Sequence, residues 1–495
     1  MQGTRIHLLV GGLLLAAASG GVQAEALQPD PAWQQGKLDN GFSWQVLDTP
    51  QRPSDRIELR LLVNTGSLVE SSQQIGFAHL LPRLAMARNE SSPQLRSLWQ
   101  QGVDDEQPLP PAISSYDFTL YNLSLPNNRL DLLKEALSWL AETSGKLPID
   151  EQTVHKVVNS GADPIGLFPA NTQDAWWRYR LKGSTLLAHD PGQAVKRPVN
   201  LEQLKDFYQQ WYTPDMMTLY VVGRVDSRSL SEQINKAFSP LSGKRETPAT
   251  MPTLAPLPPQ PVSLMNESIQ QDMLSIMWDT PWQPIRDSQQ LSRYWRSDLA
   301  REALFWHLQR ALEKSPQKDA QLGFDCRVQY QRSQCAIHLN TSNANLKSAL
   351  EFVATEMAAV RDNGLSQQEF DDLLAQKNDQ LSKLFATYAR TDTDVLMSQR
   401  LRSQQSGVVD ISPEMYQKLR QAFLASLTPE SLHQALKLQL SQDATLVLQQ
   451  PKGEAETNMK QLQDVYNGIM APPPAVVSEE PKPEGEAATP ENGAQ

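Results

Sequence analysis

Cysteine, histidine and positive charge are all in short supply. Two cysteines and seven histidines in 495 residues leave no material for a multi-disulfide scaffold or a cysteine-rich zinc module. Lys and Arg number 45 against 56 Asp and Glu, a formal net charge of −11. That balance argues against nucleic acid as a partner, because phosphate binding needs a basic face. Beyond the first 24 residues no apolar run reaches the roughly 20 residues a membrane helix requires. No integral membrane segment is therefore expected in the mature chain. The Gly-x-Ser-x-Gly turn of a serine hydrolase is also missing.

What is present begins with an export leader. Arg5 and His7 precede the apolar run Leu8–Ala17, and Val22-Gln23-Ala24 supplies a small-residue cleavage site. Cleavage after Ala24 removes Arg5, moves the net charge from −11 to −12, and predicts a periplasmic protein. In that oxidising compartment Cys326 and Cys335 gain meaning. The stretch Phe324–Leu339 alternates like a hairpin turning near Tyr330-Gln331, which sets the two cysteines opposite each other. A cross-strand disulfide is expected, with two buried thiols as the alternative. His338, on the returning strand, reads as an ordinary strand residue.

Composition divides the chain. Pro248, Pro252, Pro256, Pro258, Pro259 and Pro261 fall in a stretch with almost no charge, which suits neither a helix interior nor a central strand. The expected plan is a leader over 1–24, a first domain over 25–245, a linker over 246–262, a second domain over 263–470 and a disordered tail over 471–495. Phe42–Leu47, Arg56–Val63, Phe118–Leu125 and Leu219–Gly223 read as strands, with helices over Leu130–Thr143 and Ser229–Phe238. The second block gives a strand at Met273–Trp278, helices over Ser297–Lys314, Asn345–Asn363 and Ser366–Leu384, and a last strand at Ala444–Leu448. The fold class is α+β: two related halves, each a mainly antiparallel sheet with helices on one face, joined by the Pro-rich linker as a clamshell.

The segment Gly76–Arg83, Gly-Phe-Ala-His-Leu-Leu-Pro-Arg, is the most informative for chemistry. An H-x-x-E-H helix grips zinc with two histidines on one face, and its glutamate takes the proton of the attacking water. His79 fills the first position. Pro82 stands in place of the glutamate and Arg83 in place of the second histidine. Proline cannot accept a proton, guanidinium repels a cation, and a mid-helix proline costs about 3 kcal/mol.

Other stretches place this segment in context. Leu38-Asp-Asn-Gly41, Val63-Asn-Thr-Gly-Ser-Leu-Val-Glu70, Ser114-Ser-Tyr-Asp-Phe-Thr-Leu-Tyr121 and Phe207–Met217 leading into Leu219-Tyr-Val-Val-Gly223 occur in order. Together with Gly76–Leu81 they resemble the pitrilysin/insulinase family of zinc peptidases, which includes the mitochondrial processing peptidase subunits. The resemblance implies a third ligand, a glutamate, in the stretch Val154–Gly161. The position falls at Ser160 or Gly161, and no Asp or Glu lies between Glu151 and Asp163. An asparagine the family often carries before the Ser114 strand is replaced near Pro111. His155 replaces a family arginine, and His189, His307 and His433 receive no role.

The expectation is a pseudoenzyme with no catalytic residue and no bound metal or other cofactor. The resemblance implies two partners for such a protein: extended peptides added as a strand to a sheet edge, or an active homologous subunit. An active zinc endopeptidase is the alternative; it requires an atypical ligand set around His79, reaching His155 or Asp163. A structural envelope protein is the third.

Overall fold

A computed structural model describes residues 24–53, 56–88, 94 and 109–473. The leader up to residue 23 and the tail from 474 lie outside the described residues. The described residues form two sheets, of seven and five strands, each with its own apolar core.

The first sheet uses β1 (Trp33–Lys37), β2 (Ser43–Asp48), β3 (Arg56–Val63), β4 (Ala112–Ser114), β5 (Thr119–Pro126), β6 (Gly166–Leu167) and β7 (Met217–Gly223), in the order β1-β2-β7-β3-β5-β4-β6. β2–β7 and β4–β6 are parallel pairs; the remaining neighbours are antiparallel. α1 (Phe77–Ala87), α2 (Leu130–Gly145), α3 (Glu151–Asn159), α5 (Leu201–Trp211) and α6 (Ser227–Phe238) pack on one face, with the short α4 (Ala175–Arg180) in a connection. Carboxylate or amide caps at Asp150, Asp174, Asn200 and Asp226 start α3 to α6, each accepting from a backbone N–H of the first turn.

The second sheet has the order β10-β11-β9-β12-β8, from β8 (Val262–Asn266), β9 (Asp272–Pro281), β10 (Gln321–Gln329), β11 (Arg332–Thr341) and β12 (Thr445–Pro451). Its core face receives α7 (Ser288–Lys314), α8 (Leu346–Asn363), α13 (Pro429–Leu440) and α14 (Met459–Met470). α9 (Gln367–Ser382), α10 (Leu384–Ala389), α11 (Thr393–Ser406) and α12 (Pro413–Ser426) complete this half. α7 begins nine residues earlier than the sequence pattern places it. Asp287 caps it, and Leu291 and Trp295, one turn apart, bury its first two turns.

Three contacts between halves depart from the simple division of the chain. Residues 25–30, counted above with the first half, pack on the second: Leu27 joins its core and donates to the Arg286 carbonyl. The Pro-rich stretch is pinned rather than loose. Arg180 donates to the Ala255 carbonyl, Leu257 N–H donates to Asp279, and Leu254 is buried beside Tyr116 and Trp177. α11 covers the face of the first sheet opposite its own helices, where Leu396 and Met397 meet Leu47, Tyr220 and Val222.

The Cys326–Cys335 disulfide is formed across the β10–β11 hairpin. Tyr330 and Gln331 turn with φ of 47° and 66°, the left-handed pair that a two-residue hairpin loop requires. The tip carries Tyr330 into the first half, against Tyr116 and Trp177.

Candidate functional site

α1 is positioned by groups that carry no chemistry of their own. Gly76 starts it at φ 88°, and Glu70 accepts from the N–H groups of Gly76 and Ala78 at 3.1 and 2.8 Å. Burial raises the Glu70 carboxyl to about 7 despite those N–H donors. Upstream, Gly66 packs so tightly that a Cβ would lie 2.4 Å from the Ser115 carbonyl oxygen. Ser67 donates its hydroxyl to the His189 carbonyl, and His189 Nδ1 returns a 3.1 Å contact to the Ser67 carbonyl. His189, left without a role by the sequence, thus fixes the loop that leads into α1.

α1 runs unbroken through Pro82, which is buried. His79 is buried too, 8% exposed, and its Nε2 lies 2.7 Å from Asp163 Oδ2. Asp163 sits in the loop after α3, and its other oxygen accepts from Ile165 N–H and stands 3.8 Å from Arg83 Nε. Arg83 donates to the carbonyls of Val157 and Ala162 at 2.7 and 3.4 Å. Burial alone would raise the Asp163 carboxyl, yet the His79 hydrogen bond and the Arg83 charge hold it below the usual carboxylate range. His79 Nδ1 is buried without a partner. The three side chains form a closed line, His79–Asp163–Arg83.

α3 ends at Asn159, so Ser160 is its C-cap and Gly161 lies beyond it, with open space where a Cβ would be. Ser160 donates to the Val157 carbonyl. His155 is exposed on the same helix. Zinc, implied by the family resemblance, does not fit this donor set. It takes three protein ligands at a catalytic site; here one imidazole and one carboxylate meet, with a guanidinium 3.8 Å from the carboxylate. Among the described residues no three His, Cys, Asp or Glu side chains are placed to share a metal ion. The nearby sheet edge is closed as well: β6 pairs with β4 through Ile113–Gly166 and Ser114–Leu167.

The second half offers a different kind of surface. β10 is an edge strand nine residues long, paired to β11 in unbroken register. Its composition contains no proline, the usual guard of such an edge. The Cys326 and Cys335 Cα atoms are 4.1 Å apart, the spacing of a non-hydrogen-bonded antiparallel pair. The N–H and C=O groups of Cys326, and of Phe324 and Val328 by alternation, therefore point away from β11. His338 is more than an ordinary strand residue: Nε2 meets Asp325 at 2.9 Å and Nδ1 meets Ser275 at 2.7 Å. Asp325 and His338 line a polar cavity of about 480 Å³ between the halves. Ser275 is fully buried, so this Ser–His–Asp line presents no nucleophile. The sequence hid it because its members sit on three strands.

Comparison with known proteins decides the family. The profile described as "Insulinase (Peptidase family M16)" matches residues 46–170, and "Peptidase M16 inactive domain" matches 198–377. "Protein YhjJ" of Escherichia coli (strain K12) is 62% identical over 480 residues, 97% of this chain and 96% of that protein. The chain belongs to the insulinase family of peptidases, M16. A solved structure described as "Predicted insulinase family protease from Yersinia pestis" matches this insulinase-family chain with a TM-score of 0.89 and 71% identity, covering 94% of this chain and all of the other. The first half of the periplasmic protease PqqL from E. coli has the same fold at a TM-score of 0.75 and 22% identity, over 90% of this chain and 98% of that one. Against full-length PqqL the match spans 52% of the longer chain.

Proposed function

We propose that this chain is an exported, proteolytically inactive insulinase-family protein that holds extended peptides. The observation that carries this reading is the His79–Asp163–Arg83 line. It pairs the one family ligand position that is kept, His79, with Asp163 beside the Arg83 charge, and Pro82 stands where the glutamate that takes the proton from water would be. No catalytic residue, metal or other cofactor is assigned: Pro82, Arg83 and Gly161 or Ser160 stand where the family's base and remaining ligands would be. A fixed cation within one helical turn opposes a divalent metal by several kcal/mol where water is scarce. The atypical-zinc alternative gains one point, since Asp163 does reach His79, and loses it again because Arg83 claims the same carboxylate.

Peptide holding needs only backbone groups and a sheet edge. β4 is covered by β6; of the outer strands β1, β6, β8 and β10, β10 is the longest at nine residues, and it has a polar cavity on one face and apolar side chains on the other. Export is supported by the leader at residues 1–24 and by the periplasmic location stated for PqqL. No helix among the described residues is long and apolar enough to cross a membrane. A second role, as partner to an active homologous subunit, is favoured by one observation: the chain spans 52% of a relative that contains a further half.

Metal analysis of the exported protein and a casein cleavage assay test the main claim. Stoichiometric zinc with chelator-sensitive cleavage that disappears in His79→Ala would overturn it. The expected result is no zinc and no cleavage. Co-purification from the periplasm separates a bound peptide from a bound subunit.

A further inference from the structure

A cavity of about 560 Å³ opens where the two halves meet β10. Its walls come from Trp33 on the first sheet, Trp282 ahead of α7 and Trp295 on it, Tyr388 on α10 and Tyr416 on α12. Val328, 38% exposed near the end of β10, forms part of the rim. Three of these rings already carry a guanidinium: Arg400 lies 4.7 Å from the Trp33 centroid, Arg52 4.7 Å from Tyr388 and Arg420 5.1 Å from Trp295. The wall carboxylate of Asp410 is paired with Arg400 at 3.1 Å, and Asp30 accepts from Ala32 N–H. Arg402 also lines the cavity, whose walls are otherwise mostly rings and aliphatic side chains. Its size suits a ligand or a large side chain.

The link to β10 is geometric. Phe324 packs against the helix-side core and Val328 lines this cavity, so the two side chains share one face of the strand, as residues four apart must. A strand added along the free edge would set its own side chains opposite them on that face. We propose that the cavity is an anchor pocket for a bulky apolar side chain, an aromatic one above all, of the extended peptide held along β10. This rests on the peptide-holding reading and names the ligand class: an extended segment with one large aromatic residue toward the hairpin end. Trp33 and Leu47 contribute from the first sheet, so the pocket exists only while the halves stay packed.

The test uses the mature full-length protein and a labelled Ser/Thr-rich peptide of ten residues with a single Trp. Its controls are the Trp-to-Ala peptide and a copy N-methylated at alternate amides. Fluorescence anisotropy should show the Trp peptide binding at least about tenfold tighter than the Ala peptide. That preference should vanish in Thr387→Trp, which fills the cavity from an exposed position. Trp282→Ala, which removes a wall, gives a second variant should the first fold poorly. N-acetyl-tryptophanamide, too short to pair with a strand, should bind the native protein weakly and Thr387→Trp not at all. Equal binding of the Trp and Ala peptides overturns the anchor, and so does failure of both the Trp peptide and N-acetyl-tryptophanamide to bind. If the Trp preference survives while N-methylation changes nothing, the anchor stands and the β10 edge fails.

Discussion

The β4 region of the first half and the β10 region of the second have opposite fates. Around β4 the strand is covered by β6, His79 Nε2 meets Asp163, and Asp163 stands 3.8 Å from Arg83. At β10 the edge is unpaired, the two flanking cavities are open, and a disulfide stiffens the hairpin. The difference shows how chemistry and recognition separate within one fold. Hydrolysis depends on a few side chains whose replacement ends it, whereas strand pairing uses the backbone, which substitution barely touches. Glu70, Gly66 and Ser67 hold α1 in place whether or not α1 holds zinc.

The largest effect that would sharpen this comparison is a pH dependence centred on Glu70. Its folded value is near 7 against an ordinary 4.5, so the folded state binds the proton more tightly. Stability from this group is full below pH 4.5 and falls by up to roughly 3 kcal/mol as pH rises to 7. Urea denaturation across that range should show the decline, and Glu70→Gln should flatten it. A native profile already flat there would show that the helix N-terminus keeps Glu70 ionised.

Opening the hairpin comes next. Replacing both Cys326 and Cys335 by serine should lower stability by about 2–3 kcal/mol for so short a loop, with the loss confined to the second half. Hydrogen exchange localises it: faster exchange in β10 and β11 with α1 unchanged is the expected pattern. Loss of protection in α1 as well would mean that Tyr330 ties the two regions into one cooperative unit.

Asp163→Ala should cost less, about 1 kcal/mol, because the carboxylate is part exposed and solvent screens it. The sign is opposite to that of Glu70. Asp163 is held below its ordinary 3.8, so its contribution is present above that value and is lost as pH falls through the lowered one. The cost should therefore be visible at pH 7 and vanish in strong acid. A cost that persists in strong acid would point to lost packing.

The smallest expected change in stability belongs to Val328→Pro, under about 1 kcal/mol, since an edge strand tolerates a proline whose missing N–H faces solvent. Peptide capture, by contrast, should fall sharply. Unchanged capture would move the binding surface away from β10.

Much of this was legible in residues. The alternation of Arg56–Val63, the hairpin at Tyr330-Gln331 and the substitutions at Pro82 and Arg83 are local patterns with fixed periods or fixed chemistry. Pro82 does not end α1: the helix, buried on most of its residues, continues through it. The role of Asp163 was visible only as a remote option, because its partner is 84 positions away. His338 with Ser275, and His307 held by Glu356 and Glu369 at 2.8 and 2.6 Å, were invisible for the same reason. The pinning of the Pro-rich stretch escaped notice because it depends on Arg180 and Asp279, which no linear pattern connects.

The sequence by itself determined the family, the α+β elements and the residues Pro82, Arg83 and Ser160 or Gly161 at the positions that the family resemblance assigns to a base and two ligands, since each is written in residue type and short spacing. Only the tertiary structure decided what replaced them. Whether a lone histidine stays poised or is neutralised, and whether a strand lies free or covered, depends on groups far apart in the chain. Those meet only when burial of the two cores brings them within hydrogen-bond reach.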